Sequence, residues 1–424
     1  MMKENVTWRK SHLKHLAEAI ARVDTLRFPA DSTMRHFFRE HPELGQRDRG
    51  LIAEGAFAFL RYRRSLKALA QTTQKQKLAL ITLAYALNIS LDELKKLATD
   101  NDQHWLADLP ERLRFPLTEV EAADVPDELW ARLDEDYDDA QRLALTQSWH
   151  QAAPFDLRVN VMKTTRDDAL AALQGEGFHV EKTPFSPYGI RVHGRPMLVR
   201  HPWLQDGRLE VQSESSQLGG MLLAPKRGEM VADFCAGAGG KTLLLGMMMR
   251  SQGRLYAFDV SEKRLQKLTP RLARSGLSNV HPQRLISEND HKIKRLAGKM
   301  DRVLVDAPCT GTGTLQRNPD LKWRYCDDHL RELQEKQSAI LASAARLVKP
   351  SGRLVYATCS VLRAENEVIV ESFLKAHPDF LVRDASAVFS EINIALDTGK
   401  YLQLLPHLHN SDGFFTAVLE RVAS

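Results

Sequence analysis

The decisive residues of this chain are Asp301-Arg302-Val303-Leu304-Val305-Asp306-Ala307-Pro308-Cys309 and Tyr356-Ala357-Thr358-Cys359-Ser360. In both stretches an apolar, β-branched run that is typical of a buried strand leads into a loop with one cysteine. Ligands of open α/β sheets collect beyond the carboxyl ends of the strands. We therefore expect Cys309 and Cys359 to meet at one edge of a sheet, although 50 positions separate them.

A glycine-rich turn precedes these two stretches. Residues 230–234 are a strand candidate, and Cys235-Ala236-Gly237-Ala238-Gly239-Gly240-Lys241-Thr242 follows directly. A strand, a glycine turn and a helix together are typical of a nucleotide-like ligand bound at a helix N-terminus. The next strand ends in Asp259, 20 positions beyond Gly239, where a ribose-binding carboxylate is expected. Taken alone, this turn would suit NAD equally well.

The C-terminal half of the chain alternates strands and helices. Strands are predicted at 230–234, 254–258, 281–286, 301–305, 353–357 and 380–383, with a hairpin-like end at 401–405 and 414–420. Helices are predicted at 241–250, 261–274, 290–297, 328–348 and 365–376. This alternation indicates a mostly parallel sheet with helices on both of its faces.

Two smaller regions are expected before the sheet. Apolar residues at helical spacing predict helices at 8–23, 48–64 and 127–149, with an acidic connector at 100–128. A strand at 155–161, a helix at 166–174 and strands at 180–182 and 189–192 predict a small α+β module. In its first strand, Arg158 and Asn160 can either reach RNA or bond locally, and the sequence leaves both readings open.

The charge of the chain is unevenly distributed. Residues 1–99 hold 18 basic and 10 acidic side chains, residues 100–145 hold 4 and 14, and the whole chain carries +5. Such a pattern suits a polyanion such as RNA, although an ordinary solvated surface explains it equally well. The candidate RNA contacts of the first helices are Arg35, Arg39, Arg47, Arg49, Arg61 and Arg64.

The four cysteines show no Cys-x-x-Cys pair and no histidine at ligand spacing, so we expect no metal. Free thiols suit a reducing cytoplasm. Residues 1–14 are polar, without the apolar core of a signal peptide, and the apolar run at 78–89 is too short for a bilayer. We therefore predict a cytoplasmic monomer that has no membrane partner.

A family resemblance emerges from three motifs in order: the glycine turn at 235–242, Asp-Ala-Pro-Cys at 306–309 and Thr-Cys-Ser at 358–360. They resemble the RNA cytosine-5 methyltransferases of the Sun/Fmu/Nop family, in its bacterial RsmB-like branch. Leu157-Arg158-Val159-Asn160 and Asp412-Gly413-Phe414-Phe415 extend the resemblance.

The fold that the resemblance implies is α/β. A Rossmann-like class I methyltransferase domain with a mostly parallel seven-stranded sheet would occupy 221–424. A linker helix and a small α+β RNA-recognition-like module would occupy 126–220. An all-α NusB-like RNA-binding domain with the acidic connector would occupy 1–125.

The chemistry that the resemblance implies is methyl transfer from S-adenosyl-L-methionine to carbon 5 of a cytosine in RNA, ribosomal RNA in particular. Carbon 5 is a poor nucleophile until a thiolate adds to the neighbouring ring carbon. By resemblance Cys359 attacks the base, Cys309 releases the product, Asp306 lies between cofactor and base, and Lys241 lies near the base. The implied cofactor-binding residues are Cys235, Ala236, Gly237, Ala238, Gly239, Gly240, Lys241, Asp259, Asp290 and Asp306.

The chain departs from the family pattern in the cofactor region. Gly237-Ala238 stands where the family usually has Ala-Pro, which gives up rigidity for conformational freedom. The acid expected after the third strand to contact adenine is not clearly aligned, and Ser287, Glu288 and Asp290 are the candidates, with Asp290 preferred. Because the target base must leave its stack, residues after Cys309 are candidates to hold the displaced strand: Arg317, Asn318, Lys322, Trp323 and Arg324. Trp323 equally suits a core position.

Three rival functions remain at this point. One is a tRNA methyltransferase with the same chemistry. Another is a non-catalytic RNA-binding assembly factor that keeps a methyltransferase fold, although the presence of both cysteines speaks against it. The third is an NAD-binding enzyme, which is disfavoured because hydride transfer requires neither thiol.

Overall fold

The predicted alternation of strands and helices is present in the structure, a computed structural model that describes residues 7–194 and 198–423. The start of the polar stretch predicted at 1–14 lies outside the described residues. The strands are β1 (Phe155–Val159), β2 (Val180–Lys182), β3 (Gly189–Val192), β4 (Leu209–Val211), β5 (Met230–Asp233), β6 (Arg254–Asp259), β7 (Val280–Arg284), β8 (Met300–Asp306), β9 (Val348–Thr358), β10 (Phe380–Arg383), β11 (Leu402–Leu404) and β12 (Phe414–Arg421).

Helices occupy the N-terminal third and the connections between the strands of the large sheet. The α-helices are α1 (Lys10–Val23), α2 (Ala30–Glu40), α3 (Gln46–Arg61), α4 (Arg63–Ala70), α5 (Lys75–Ile81), α6 (Leu91–Leu97), α7 (Asp100–Ala107), α8 (Leu109–Arg112), α9 (Glu119–Ala123), α10 (Asp127–Asp136), α11 (Asp139–Ser148), α12 (Arg166–Gly175), α13 (Pro202–Gln205), α14 (Glu214–Met221), α15 (Gly240–Met248), α16 (Glu262–Ser275), α17 (His291–Arg295), α18 (Asp320–Trp323), α19 (Asp327–Ala345), α20 (Glu367–Ala376), α21 (Ala385–Glu391) and α22 (Pro406–His409). A π-helical turn lies at Thr82–Ala86, and 3₁₀ turns lie at Leu198–Arg200, Thr312–Thr314 and Arg363–Glu365.

The chain divides into two units. The helical unit comprises Met1–Ala152 and Leu315–Cys326, and the sheet unit comprises Ala153–Thr314 and Asp327–Ser424. The small module and the large sheet therefore belong to one unit, whereas α10 and α11 belong to the helical unit. The predicted division into three domains, with boundaries after residues 125 and 220, stays a prediction.

The large sheet has the strand order β10-β12-β9-β8-β5-β6-β7. β9, β8, β5, β6 and β7 run parallel, and β12 pairs antiparallel with both β9 and β10. The predicted Rossmann-like sheet is thus confirmed. The predicted seven strands are joined by an eighth, because the short β11 also pairs with β12.

The small module is an antiparallel sheet of order β2-β3-β1-β4, with α12 packed against it. Its inner face buries an apolar cluster that includes Leu157, Val159 and Ile190. The Arg191 guanidinium donates to the Asp156 carboxylate at 2.8 Å, with both side chains buried. Because this ion pair bridges neighbouring strands, it fixes the register of β1 against β3.

Helix prediction was wrong at one long element. The helix predicted at 127–149 is two helices, since α10 ends at Asp136 and α11 starts at Asp139. The Asp138 carboxylate accepts a hydrogen bond from the Gln141 backbone N–H, which caps α11. An aspartate followed three residues later by glutamine is a helix-start pattern, so the break had a signal in the sequence.

The segment Leu315–Cys326 caps two helices of the helical unit. The last carbonyls of a helix have no intrahelical partners. At the end of α3, Leu60 O accepts from the Trp323 indole Nε1 at 2.7 Å and Arg61 O accepts from Lys322 Nζ at 2.8 Å. At the start of α2, the Ala30 N–H donates to the Asp320 carboxylate at 3.2 Å.

Lys322 and Trp323 are therefore structural residues, and their predicted place beside a displaced RNA strand is corrected. Lys322 is only 1% exposed, and burial lowers the pKa of its ammonium to about 8. A cation at a helix C-terminus is favourable, which offsets part of the cost of burying this ammonium group. Arg324 pairs with Asp320 at 2.8 Å. RNA contacts by Arg317 and Asn318 stay predictions.

Four of the other candidate RNA contacts also have partners within the helical unit. Arg35 donates to Asp31 O and Arg49 donates to Leu44 O. Arg61 donates to Gln316 O, and Arg64 donates to Val125 O and Asp127. Their contact with RNA stays a prediction. Over 7–194 and 198–423, no helix is both long enough and apolar enough to cross a membrane.

Replacement of Trp323 tests the capping role of this segment. Trp323→Phe keeps a large ring but leaves Leu60 O without its indole donor, which should cost about 1–2 kcal/mol of unfolding free energy. Urea unfolding measures the change, with Phe115→Leu, at a residue that is half exposed, as the control. Equal unfolding free energies for Trp323→Phe and the wild type would contradict the role.

Candidate active site

The two cysteine loops meet at the carboxyl edge of the large sheet. β8 and β9 are parallel neighbours in which Asp306 lies opposite Ala357, so their following loops leave the sheet side by side. The Sγ atoms of Cys309 and Cys359 are 3.3 Å apart, and both residues are partly buried. The prediction that these cysteines meet is confirmed.

The two sulfurs are close enough to share a hydrogen bond, and either can be its donor. Hydrogen bonding to Cys359, and then burial, raise the pKa of the Cys309 thiol well above its ordinary value. Cys309 is therefore drawn toward its protonated form, whereas the thiolate is the reactive form of a cysteine.

Lys241 and Asp306 form an ion pair at the same edge. Lys241 Nζ lies 2.9 Å from Asp306 Oδ2 and 4.8 Å from the centre of the Phe414 ring. A cation in the first turn of α15 is unfavourable, and the carboxylate and the aromatic face both offset this cost. Lys241 is buried, whereas about a third of the Asp306 side chain stays exposed and can meet a ligand.

The glycine turn is held by the acid that ends β6. The Gly237 N–H donates to Asp259 Oδ2 at 2.8 Å. Gly237 has φ +56° and Gly239 has φ +86°, and a Cβ on Gly239 would lie 2.2 Å from Leu268. The glycine that departs from the family pattern therefore occupies a left-handed position that suits glycine. Burial raises the pKa of the Cys235 thiol, which makes it an unreactive packing residue.

Arg158, whose role the sequence left open, supports the glycine turn from the small module. Its buried guanidinium donates to Gly240 O at 2.7 Å and also bonds to Gln212. Arg271 donates to Ala238 O at 2.6 Å and pairs with Glu210 of β4. Two carbonyls of the turn are thus fixed from outside, and Arg158 acts locally.

Asn160 also acts within the sheet unit. Its side-chain amide donates to Gly207 O at 3.0 Å and to Ser275 O at 2.9 Å. Its carbonyl oxygen accepts from the Met162 N–H and so closes a turn. The local reading of Asn160 is therefore the one that the structure favours over RNA contact.

Asp233, which sequence reasoning missed, ends β5 one residue before the glycine turn. It is 1% exposed, and its Oδ2 accepts from Thr242 Oγ1 at 2.6 Å. Its Oδ1 has no hydrogen-bond partner among the residues that the structure describes. Burial raises the pKa of this carboxyl to about 7. A buried acceptor without a donor marks a place where a ligand's donor would be stabilised.

Two exposed apolar residues also follow neighbouring parallel strands. Val260 comes directly after β6 and is 56% exposed, and Ile286 comes shortly after β7 and is 84% exposed.

Asp290, the preferred adenine contact, caps α17 instead, because its two oxygens accept the Lys292 and Ile286 N–H groups, each at 2.9 Å. Its contact with adenine stays a prediction.

The Asp412-Gly413 motif has a steric explanation. The Gly413 N–H donates to Gly313 O at 2.7 Å, and a Cβ on Gly313 would lie 2.1 Å from Gly413 O. Only glycine permits such close approach of two backbones. The segment that leads into β12 is thereby packed against the loop that follows Cys309.

These features define a Rossmann-like methyltransferase domain joined to a small antiparallel module. A family model for "16S rRNA methyltransferase RsmB/F" matches residues 220–420, and one for the "RsmF/B-like, ferredoxin-like domain" matches residues 125–198. The chain belongs to the RsmB/F methyltransferase family.

Individual relatives agree with this assignment. The chain is 35% identical over 300 residues to a probable ribosomal RNA small subunit methyltransferase B of Synechocystis sp. (strain ATCC 27184 / PCC 6803 / Kazusa), covering 70% of this chain and 66% of the relative. It spans somewhat less than two thirds of the length of the curated relatives that it matches first.

Solved structures are similar as well. The crystal structure of PH0851 covers 98% of this chain and 100% of its own, with TM-score 0.78 and 26% identity. A methyltransferase homologue from Pyrococcus horikoshii covers 70% of this chain and 100% of its own, with TM-score 0.58 and 27% identity.

The buried Asp233 carboxyl should make stability depend on pH. Its folded-state pKa of about 7 lies above the unfolded value of about 3.9. The stability that it contributes is therefore fully present below about pH 4 and is lost as the pH rises through about 7. Asp233→Asn removes this loss. In the absence of ligand, the unfolding free energy of the wild type should fall relative to that of the variant by about 1.4 kcal/mol per pH unit between about pH 4 and about pH 7. Urea unfolding at several pH values measures this difference. A difference that does not change with pH would contradict the burial argument.

Proposed function

We propose that this protein is an RNA methyltransferase that transfers a methyl group from S-adenosyl-L-methionine to carbon 5 of a cytosine, through a covalent bond between Cys359 and the base. The observation that carries the proposal is the 3.3 Å approach of two cysteine sulfurs at the carboxyl edge of the sheet. Two thiols at one site meet the need of this reaction for both a nucleophile and a proton-transfer group.

The residues around the glycine turn fit the cofactor. We assign the ribose hydroxyls to Asp259, which holds the glycine turn at the end of β6, and the adenine to the exposed apolar surface of Val260 and Ile286. The free Oδ1 of Asp233 offers a buried acceptor for a cationic donor such as an ammonium group. When bound, S-adenosylmethionine supplies an electrophilic methyl group.

The protein's own residues carry out the addition to the base and the release of the product. The Cys359 thiolate adds to carbon 6 of the cytosine, and the electron pair moves into the ring and makes carbon 5 nucleophilic. After methylation, carbon 5 carries both the methyl group and its original proton. Cys309, once its thiol has lost its own proton to solvent, accepts the carbon 5 proton. The bond between Cys359 and carbon 6 then breaks, which restores the aromatic ring and the thiolate.

Asp306 and Lys241 orient the base in this proposal. The exposed part of the Asp306 carboxylate accepts a hydrogen bond from the cytosine amino group. Lys241 holds this carboxylate in place through the 2.9 Å ion pair. A displaced Asp306 would bind the base less selectively, because an acceptor at this position recognises an amino group.

The substrate that we propose is small-subunit ribosomal RNA. The support comes from the family and from relatives named ribosomal RNA small subunit methyltransferase B. The basic charge of residues 1–99 suits a partner with a phosphate backbone.

The test of this proposal uses single-cysteine variants, radiolabelled S-adenosylmethionine and ribosomal RNA. Cys309→Ala should accumulate a methylated protein–RNA adduct on a denaturing gel, because attack still occurs and release fails. Cys359→Ala should give neither adduct nor methylation. Cys326→Ala is the control, since this exposed cysteine lies outside the site.

The outcomes separate the alternatives. Adduct in Cys359→Ala but not in Cys309→Ala would reverse the two roles. Methylation of transfer RNA but not of ribosomal RNA would overturn the proposed substrate and keep the chemistry. A wild type that binds RNA and methylates none would overturn the enzymatic proposal.

A further inference from the structure

Glu365, a residue outside the recognised motifs, holds the loop of Cys309. Its side chain is completely buried. Oε1 accepts from the Thr310 N–H at 2.8 Å, and Oε2 accepts from Thr310 Oγ1 at 2.5 Å. Both groups belong to the residue that follows Cys309 directly, so the carboxylate fixes the backbone next to this thiol.

The next residue, Asn366, holds the loop of Cys359 in the same way. It is 1% exposed, and its Oδ1 accepts from Thr358 Oγ1 at 2.5 Å. Its Nδ2 donates to Ser360 O at 3.1 Å. Thr358 and Ser360 flank Cys359 on both sides, so one amide fixes this loop before and after its thiol.

The peptide that carries these two side chains is itself anchored. Tyr356 of β9 donates its hydroxyl to Glu365 O at 2.7 Å. Gln337 of α19 donates to Glu365 Oε1 and to Pro308 O, each at 2.9 Å. Two consecutive residues therefore join both cysteine loops to the sheet and to a helix.

Charge distinguishes Glu365 from Asn366. No cation pairs with the Glu365 carboxylate among the contacts of the described residues, and its partners are neutral donors. A buried negative charge near a thiol disfavours the thiolate. After the hydrogen bond to Cys359 and burial, the Glu365 charge is a further cause that raises the pKa of Cys309.

We propose that Glu365 and Asn366 are positioning residues with separate duties: Glu365 places Cys309 and supplies a buried carboxylate to its loop, and Asn366 places Cys359 for attack. The kinetic part of this inference rests on the proposed function. The part that concerns the state of the Cys309 thiol does not, because it can be measured without RNA.

The first test measures alkylation of Cys309 by iodoacetamide against pH, with peptide mass spectrometry to separate the cysteines. Glu365→Gln keeps the shape and removes the charge, so the pH midpoint of Cys309 alkylation should move to lower pH. Thr310→Val removes one hydrogen bond and keeps the charge, so its midpoint should stay close to that of the wild type. Glu371→Gln, at an exposed position of α20, is the matched control.

The second test separates the steps of the reaction on ribosomal RNA. Glu365→Ala and Thr310→Val, which both loosen the loop of Cys309, should accumulate adduct and lose turnover by about 10²-fold, the usual effect of a small misplacement of a reacting group. Asn366→Ala should form adduct more slowly by a similar factor and should not accumulate it. Thermal melting shows whether each variant is folded.

The results decide the inference as follows. A Cys309 midpoint that is the same in Glu365→Gln and Glu371→Gln overturns the electrostatic duty. Loss at the same step in Glu365→Ala and Asn366→Ala overturns the division of duties. If the wild type methylates no RNA, the proposed function fails, and the alkylation profile still decides the role of Glu365.

Discussion

The parallel pairing of β8 with β9 is the constraint on which the site depends. Loops at the carboxyl ends of neighbouring parallel strands must leave the sheet at the same edge. Asp306 opposite Ala357 therefore brings Cys309 and Cys359 together, and the Ala307 N–H donates to Ala357 O at 2.9 Å between the two strand ends. The 50 positions between the two cysteines include helix α19, whose buried side chains pack on the same strands.

The electrostatics of this edge follow from burial. Asp233 and Cys309 lie where the charged form is costly, and each is drawn toward its neutral form. Lys241 and Asp306 form an ion pair, with Nζ 2.9 Å from Oδ2. The same low-dielectric edge thus holds a thiol and a carboxyl whose pKa values are raised, together with an ion pair, within a few residues of three strand ends.

Local patterns in the sequence predict much of this fold. The strands and helices of the large sheet, the glycine turn and the meeting of the two cysteines were predictable, because periodicity and strand-end position encode them. The contacts of Arg158 with Gly240 and of Glu365 with Thr310 were not, since each joins residues that are distant in the chain and have no spacing signal.

The residue types at 322 and 323 alone led to a wrong prediction of an RNA contact. Lys322 and Trp323 have the composition of an RNA contact, yet they cap the end of α3. Only the tertiary fold shows that the carbonyls of Leu60 and Arg61 need donors from another segment. Asp233 went unnoticed because its importance lies in its burial and not in its position in a motif.

The central claim, that two adjacent strand ends present one attacking thiol and one protonated thiol to a single base, has a direct test. Wild-type protein would be incubated with S-adenosylmethionine and RNA containing 5-fluorocytidine, whose carbon 5 has no proton to release, so that the adduct is trapped. Mass spectrometry of the digested adduct would identify the attached cysteine. The account predicts attachment at Cys359, in the peptide that follows β9. Attachment at Cys309 would contradict it.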